Sequence, residues 1–253
     1  MLNEERKQKI LEALGERGRV LSSELVSQLN VSEDTIRRDL KDLAEAGLLT
    51  RVHGGALPMA RVSFSYSKRQ KEAVGEKAAI ARRAAKQICD GQVIFIDGGT
   101  TTAMVAGYLP RQTRATFITY SLPVAIALTE NTESNVRLLG GRVVKELLLT
   151  MAPTMIQEIE SVQADLALVS AENIHFEYGA TVSHADDATI KRAFINQAAE
   201  SLILAGSDKF GKVSPFRVAK LNEVSSIITD SGIEKSLLEK CRQAGATVFV
   251  AAN

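Results

Sequence analysis

The chain has no tryptophan, two cysteines and five prolines in 253 residues, and aromatic side chains make up 5% of it. Cys89 and Cys241 stand far apart without metal-ligand spacing around them, which excludes a disulfide scaffold and fits a reducing compartment. Both read as ordinary core or surface thiols. No apolar run approaches bilayer-spanning length and residues 1–7 carry no apolar leader, so a cytoplasmic chain with no membrane partner is expected. Charge of one sign is missing too: 31 basic and 30 acidic residues leave a net +1, so any argument for a polyanionic partner must be local. No internal repeat and no low-complexity tract is visible. What remains is 45% apolar and 24% charged, the composition of globular protein with length for one large or two unequal domains.

The texture changes along the chain. Up to about Gly55 short helical patterns dominate, whereas from about Gln92 β-branched apolar runs alternate with helical stretches. Strands are predicted at 93–96, 116–119, 136–139, 166–169, 202–205, 226–229 and 247–250, most of them separated by helical patterns. Parallel strands need such crossovers, so the fold class is a small helical N-terminal domain followed by an α/β domain with an open, mostly parallel sheet. Residues 1–57, 58–77 and 78–253 are the expected first domain, linker and second domain, the linker ending in a basic stretch with Lys68, Arg69 and Lys71.

In the first domain, Ile10, Leu11 and Leu14 predict a helix over residues 3–14 that stops at Gly15. Ser22 or Ser23 is placed to cap a second helix ending near Asn30, and Ser32 to cap a third, with Glu33 and Asp34 in its first turn. Two short helices around the Asn30-Val31 turn form a helix-turn-helix pattern. At about 100° per residue, Ile36, Leu40 and Leu43 share one arc, and Asp34, Thr35, Arg37, Arg38 and Lys41 lie opposite. Arginines presented this way can bond guanine edges or phosphate oxygens from a major groove. The alternative is a solvated face with Arg37 and Arg38 paired to Asp34 or Asp42, and residues 1–57 hold 9 basic and 10 acidic side chains, which favours it on charge alone. After Gly47, residues 48–52 predict a strand and His53-Gly54-Gly55 a turn, a wing whose Arg51 and His53 would reach phosphates.

The run Val31-Ser-Glu-Asp-Thr-Ile-Arg-Arg-Asp-Leu-Lys-Asp-Leu43 followed by Arg51-Val-His-Gly-Gly-Ala56 resembles the N-terminal signature of DeoR-type bacterial repressors of sugar metabolism. The resemblance implies a winged helix-turn-helix that binds operator DNA, with Ser32, Thr35, Arg37, Arg38, Lys41, Arg51 and His53 as the contacting residues, in a homo-oligomer, dimer or tetramer.

In the second domain, the strand at 93–96 runs into Asp97-Gly98-Gly99-Thr100-Thr101-Thr102, glycine backbone and hydroxyls at a helix start, which is suited to an anion and is equally an ordinary strand-helix junction. Tyr120-Ser121 and Gly140-Gly141 follow the next two strands, and strand C-termini in a parallel sheet share one edge where ligands bind. Lys191 reads as a phosphate partner or a solvated cation, and Asp208-Lys209 as a pocket edge or a surface turn. The Ile-Asp-Gly-Gly-Thr-Thr, Gly-Gly, Ile-Lys-Arg-Ala-Phe and Ser-Asp-Lys-Phe-Gly segments extend the resemblance over nearly the whole chain. It implies a fold similar to sugar-phosphate isomerases and a phosphorylated sugar or polyol effector, with no catalytic residue, cofactor or metal. Four positions depart from the family pattern: Tyr120 replaces a usual asparagine, Glu172 stands in a usually glycine-rich turn, and Ala152 and Asp187 replace glycine and glutamate. Tyr120 and Glu172 are expected to reshape the sugar end of the pocket. The alternatives are an isomerase-like enzyme using Asp97, Asp187 and Lys191, and an architectural DNA binder.

Overall fold

The computed structural model describes residues 2–17, 19–46, 48–58 and 65–252. The N-terminal unit comprises α1 (Asn3–Arg17), β1 (Val20–Leu21), α2 (Ser22–Leu29), α3 (Glu33–Glu45), β2 (Leu49–Val52) and β3 (Gly55–Pro58). Ile10 and Leu14 of α1, Leu25 of α2 and Ile36, Leu40 and Leu43 of α3 meet in one core, closed by Val20, Leu49 and Ala56 of the small sheet. α1 does not stop at Gly15 but runs to Arg17, since one glycine costs a helix only about 1 kcal/mol. α2 begins at Ser22 itself, with Leu21 as the cap residue and no side-chain cap, while Asn30 closes it in the left-handed region at φ 51. Ion pairs tie α1 to α3: Arg6 holds the buried Asp39, and Lys7 reaches Asp42 at 2.8 Å.

The second unit opens with α4 (Tyr66–Gln70) and α5 (Val74–Ala85). The end of the expected linker is thus helical, while 59–64 lie outside the described residues. Next come β4 (Val93–Ile96), α6 (Thr100–Val105), β5 (Thr116–Thr119), α7 (Leu122–Asn131), β6 (Asn135–Leu138), β7 (Arg142–Val144), β8 (Leu149–Met151), α8 (Met155–Glu160) and β9 (Ala164–Ser170). The rest is β10 (Asn173–His175), β11 (Gly179–Val182), α9 (Ala185–Asn196), β12 (Ala198–Leu204), β13 (Phe216–Ala219), β14 (Ser226–Asp230), α10 (Lys235–Gln243) and β15 (Val248–Ala251).

Seven strands form a parallel sheet in the order β15-β14-β12-β9-β4-β5-β6, and all seven predicted runs fall in it, shifted or extended at their ends. Both faces are covered. Ile94, Ile96, Phe117, Leu202 and Leu204 pack with α5, α6 and α7, whereas Phe95, Ile118 and Ile203 pack with α8, α9 and α10. That alternation on fully buried strands is what a parallel sheet requires. From β4 the chain steps outward to β5 and β6, then returns to β9 on the other side, so the order reverses between β4 and β9. Such a switch point leaves a crevice at the strand C-termini. Two smaller sheets, the β7-β8 hairpin and β10-β11-β13, are not predicted by the sequence, because their strands of three or four residues mix polar and apolar side chains and lack the continuous apolar run that marks β4.

Candidate nucleic-acid interface and ligand cavity

The exposed face of α3 is built by its cap. The Ser32 side chain accepts from the Thr35 amide at 3.2 Å and lies 2.9 Å from the Thr35 hydroxyl, fixing the helix start. Arg37 stands 3.9 Å from Glu33 and Lys41 3.7 Å from Glu45, all four largely solvated. Pairs of this kind contribute only about 0.3–0.5 kcal/mol and exchange readily for phosphate. Arg38 is exposed and has no ion pair among the described residues. Its suggested partner Asp42 is taken by Lys7, so the α1–α3 packing leaves Arg38 available.

Beside this face, Val52 pairs with Gly55 across the two-residue turn His53-Gly54, where Gly54 has φ +79. Gly55 has no room for a side chain, since a Cβ there would sit 2.0 Å from the Val20 carbonyl oxygen as β3 crosses β1. This wing leaves Arg51 and His53 exposed, and a cleft between it and α3 is lined by Glu33, Arg37, Arg51 and His53.

At the switch point of the large sheet lies a cavity of about 400 Å³. Gly98, Gly99, Thr100 and Thr101 form one wall, and Ser170, Ala171 and Glu172 beyond β9 form the next. A Cβ on Gly98 would meet the far end of the Leu149 side chain at 2.0 Å, so any larger residue there requires Leu149 to move. Ser207, Asp208, Lys209 and Lys212 after β12, Asp230 at the end of β14, and Arg69, Glu72, Glu76 and Lys77 from α4 and α5 complete it. The Lys209 ammonium donates to the Ala171 carbonyl at 2.8 Å, and burial lowers its pKa to about 8 against the opposing pull of Asp208. Lys77 donates to the carbonyls of Arg69 and Glu72, and burial lowers its pKa as well. Glu172 accepts hydroxyl hydrogen bonds from Ser183 and, at 3.3 Å, from Ser214.

Beneath the cavity floor runs an ionic network. Asp97, fully buried, accepts from the Ser170 amide at 2.7 Å, from its hydroxyl at 3.0 Å and from Lys191. Lys191 is 1% exposed, also donates to the Ser170 hydroxyl at 3.1 Å, and lies 3.7 Å from Asp187. The buried Tyr120 hydroxyl donates to Asp187 at 2.6 Å, and its ring packs edge-on against Phe194 at 5.6 Å. Burial pushes the Asp97 carboxyl up, against the pull of Lys191. For Lys191 burial works downward, but Asp187 and Asp97 together raise it, so it stays charged. Burial, then the carboxylates, hold the Tyr120 phenol far above its usual range. One ammonium faces two carboxylates, so this network offers no net positive charge to a phosphate.

Of the residues read from the sequence, Gly98, Gly99, Thr100, Thr101, Glu172, Lys191, Asp208 and Lys209 line the cavity. Asp97 lies beneath it, and Thr102 is buried with its hydroxyl on the Gly99 carbonyl at 3.0 Å. Ser121 caps α7 from a buried position, and Gly140 and Gly141 sit exposed in the turn after β6. Tyr120 does not shape the cavity, because strand alternation turns it with Ile118 toward α9. Lys191 does line it, but its charge is consumed by Asp97 and Asp187. Arg69, Lys77 and Lys212 were missed; the first two lie where an irregular basic tract reads as linker.

No helix among the described residues is long and apolar enough to cross a membrane, and no metal-binding cluster is found among them. Residues 6–61 match the DeoR-like helix-turn-helix domain and residues 72–231 the DeoR C terminal sensor domain. The HTH-type transcriptional regulator GlpR of Haloferax volcanii is 35% identical over 98% of both chains. The HTH-type transcriptional repressor GlcR of Bacillus subtilis is 36% identical over 91% of this chain and 89% of its own. The first of these is archaeal, so the likeness is not confined to bacterial repressors. Ribose 5-phosphate isomerase A of Methanocaldococcus jannaschii shares 17% identity and a TM-score of 0.39 over 53% of each chain, a partial likeness that says nothing about activity. With a DNA-binding unit at its front and regulators as its full-length relatives, this chain is no isomerase: it is a transcriptional regulator and belongs to the DeoR family.

Proposed function

We propose that this chain represses a carbohydrate-utilisation operon from the cytoplasm and is released from its operator when a phosphorylated sugar or polyol fills the cavity. In this reading residues 1–57 grip DNA, 58–77 transmit, and 78–253 sense the effector and oligomerise. The observation that carries it is that Lys77, Lys209 and Lys212 line one cavity together with Gly98, Gly99, Thr100 and Thr101. A phosphate ester carries close to two negative charges and strong acceptor oxygens, which three ammonium groups match. The effector hydroxyls then face Glu172, a carboxylate held by two serines.

On DNA, Arg38 and Arg37 enter the major groove, Ser32, Thr35 and Lys41 flank them, and Arg51 and His53 approach the backbone. A homo-oligomer, dimer or tetramer, presents paired α3 helices to spaced half-sites. The effector acts only through higher affinity for the DNA-incompetent arrangement.

The test is fluorescence anisotropy of the purified protein on its own upstream DNA at two salt concentrations, titrated with a panel of sugar and polyol phosphates. Specific, salt-sensitive binding released by one phosphate ester is expected. In the same assay Thr101→Asp keeps operator affinity and loses release. Binding that no ester releases overturns the effector reading, and absence of specific binding overturns the operator reading.

A further inference from the structure

The path out of the DNA-reading unit runs along the wall of the cavity. α4 is the first described element after the wing, and Arg69 at its end, with Glu72 and Ala73 just beyond, lines the cavity. Its start is pinned: Tyr66 is buried and its amide donates to the Glu146 carbonyl at 2.9 Å. Its end is closed by the Lys71 and Glu72 amides on the Lys68 and Arg69 carbonyls, and Lys77 of α5 adds its ammonium to the carbonyls of Arg69 and Glu72. The last carbonyls of a helix lack the partner a turn further on, so donors of this kind decide how the helix terminates.

Two further observations bear on this contact. The turn joining α4 to α5 passes through Ala73 at φ 47, in the left-handed region that an alanine adopts at a cost and that persists only where its surroundings hold it. Lys77 also lines the cavity, on the same wall as Arg69, and the charges acting on it come from Glu72, Arg69, Asp208 and Glu76. An ammonium has three donors, and two of them are spent, one on the last turn of α4 and one on the turn beyond it, so a phosphate held through more than one donor takes one from these carbonyls.

We propose that Lys77 is the positioning residue that couples cavity occupancy to α4: a ligand phosphate and the α4 carbonyls compete for the same ammonium. This rests on the reading of the cavity as a phosphate-ester site. A phosphate dianion beside Lys209 outcompetes neutral carbonyls, because it adds attraction between full charges to a bond that, with a carbonyl, is charge-assisted from the donor side alone. Each donor turned to the phosphate is withdrawn from Arg69 and Glu72, the Ala73 turn loses its clamp, and α4 loosens. α4 is the first described element after the wing, so its release is the change nearest in the chain to the DNA-reading unit.

Amide hydrogen exchange on the full chain, with inorganic phosphate as probe, tests this on wild type, Lys77→Met and Lys77→Arg. In wild type, phosphate is expected to slow exchange at 98–101 and 207–209 and to speed it across 66–72 by about fivefold or more, the lower end of ordinary allosteric coupling. In Lys77→Met, which removes one of the three ammonium groups and so needs more phosphate, 66–72 exchange at the fast rate without phosphate and do not change further when phosphate is raised until 207–209 respond, and Lys77→Arg restores the wild-type response. A wild type whose 98–101 and 207–209 respond while 66–72 do not overturns the coupling, as does a Lys77→Met protein whose 66–72 respond like wild type. If neither 98–101 nor 207–209 responds in wild type, the phosphate-ester reading and the coupling fall together.

Discussion

The two units use positive charge in opposite ways. On α3, Arg37 and Lys41 keep about two-thirds of their side-chain surface in water and hold their acidic neighbours only loosely, at 3.9 and 3.7 Å, and Arg38 is exposed as well. Under the cavity, Lys191 keeps 1% exposure and answers to Asp97, Asp187 and Ser170 at once. The first arrangement leaves the cation free to exchange partners, as a surface that slides and docks on phosphates must. The second removes that freedom and turns the cation into scaffolding that holds β4, β9 and α9 in register around the cavity. Between these extremes stand Lys77 and Lys209, inside the cavity and bonded to neutral carbonyls, with Asp208 acting on both and Glu72 and Glu76 on Lys77 but neither in an ion pair among the described residues.

The largest expected effect comes from breaking the buried extreme. Lys191→Met leaves Asp97 and Asp187 uncompensated and should destabilise the fold by about 3–5 kcal/mol in chemical denaturation. A loss under about 1 kcal/mol would place Lys191 with the solvated cations. Next, Arg38→Ala should cost about 1–3 kcal/mol in operator affinity and leave the denaturation midpoint unchanged. Unchanged affinity in a gel-shift titration would remove Arg38 from the interface.

The intermediate cations are addressed by pH. The Lys209 pKa is lowered to about 8, so its ammonium is complete below that pH and is lost above it. Effector affinity by calorimetry should therefore hold between about pH 6, where the ester becomes dianionic, and pH 8, then fall by up to about tenfold per unit. Fold stability should move the other way: burial penalises the charged form, so deprotonation between about 8 and the usual 10.5 relieves a cost. Effector affinity unchanged up to pH 10 would take Lys209 out of the phosphate end. The smallest effect is expected at the solvated extreme, where Glu33→Gln should change stability by no more than about 0.5 kcal/mol and leave Arg37 competent for DNA.

Much of this was legible in residue order. Ile36, Leu40 and Leu43 at helical spacing placed α3 and its outward arginines, because one face of a short helix has to be apolar to fold at all. The seven β-branched runs placed the sheet because strands buried on both faces read as near-continuous apolar runs. The Gly98–Thr101 loop was legible through the strand before it and the helix after it. Tyr120 was misjudged as a pocket residue although strand parity from Phe117 and Ile118 already turns it toward α9. Residues 69–77 were less accessible. Their texture is polar and basic, and nothing local distinguishes a tether from a helix pair whose inner side closes a cavity.

Residue order by itself determined the winged helix-turn-helix, the parallel sheet and the edge of that sheet where a ligand would sit, because period and turn chemistry are local. Only the tertiary structure decided which cations are available there. Lys191, expected to meet a phosphate, is claimed by Asp97 from 94 residues away, while Lys77, from the supposed tether, faces the cavity. Desolvation and ion pairing depend on neighbours in space, and for these lysines the deciding neighbours come from other elements.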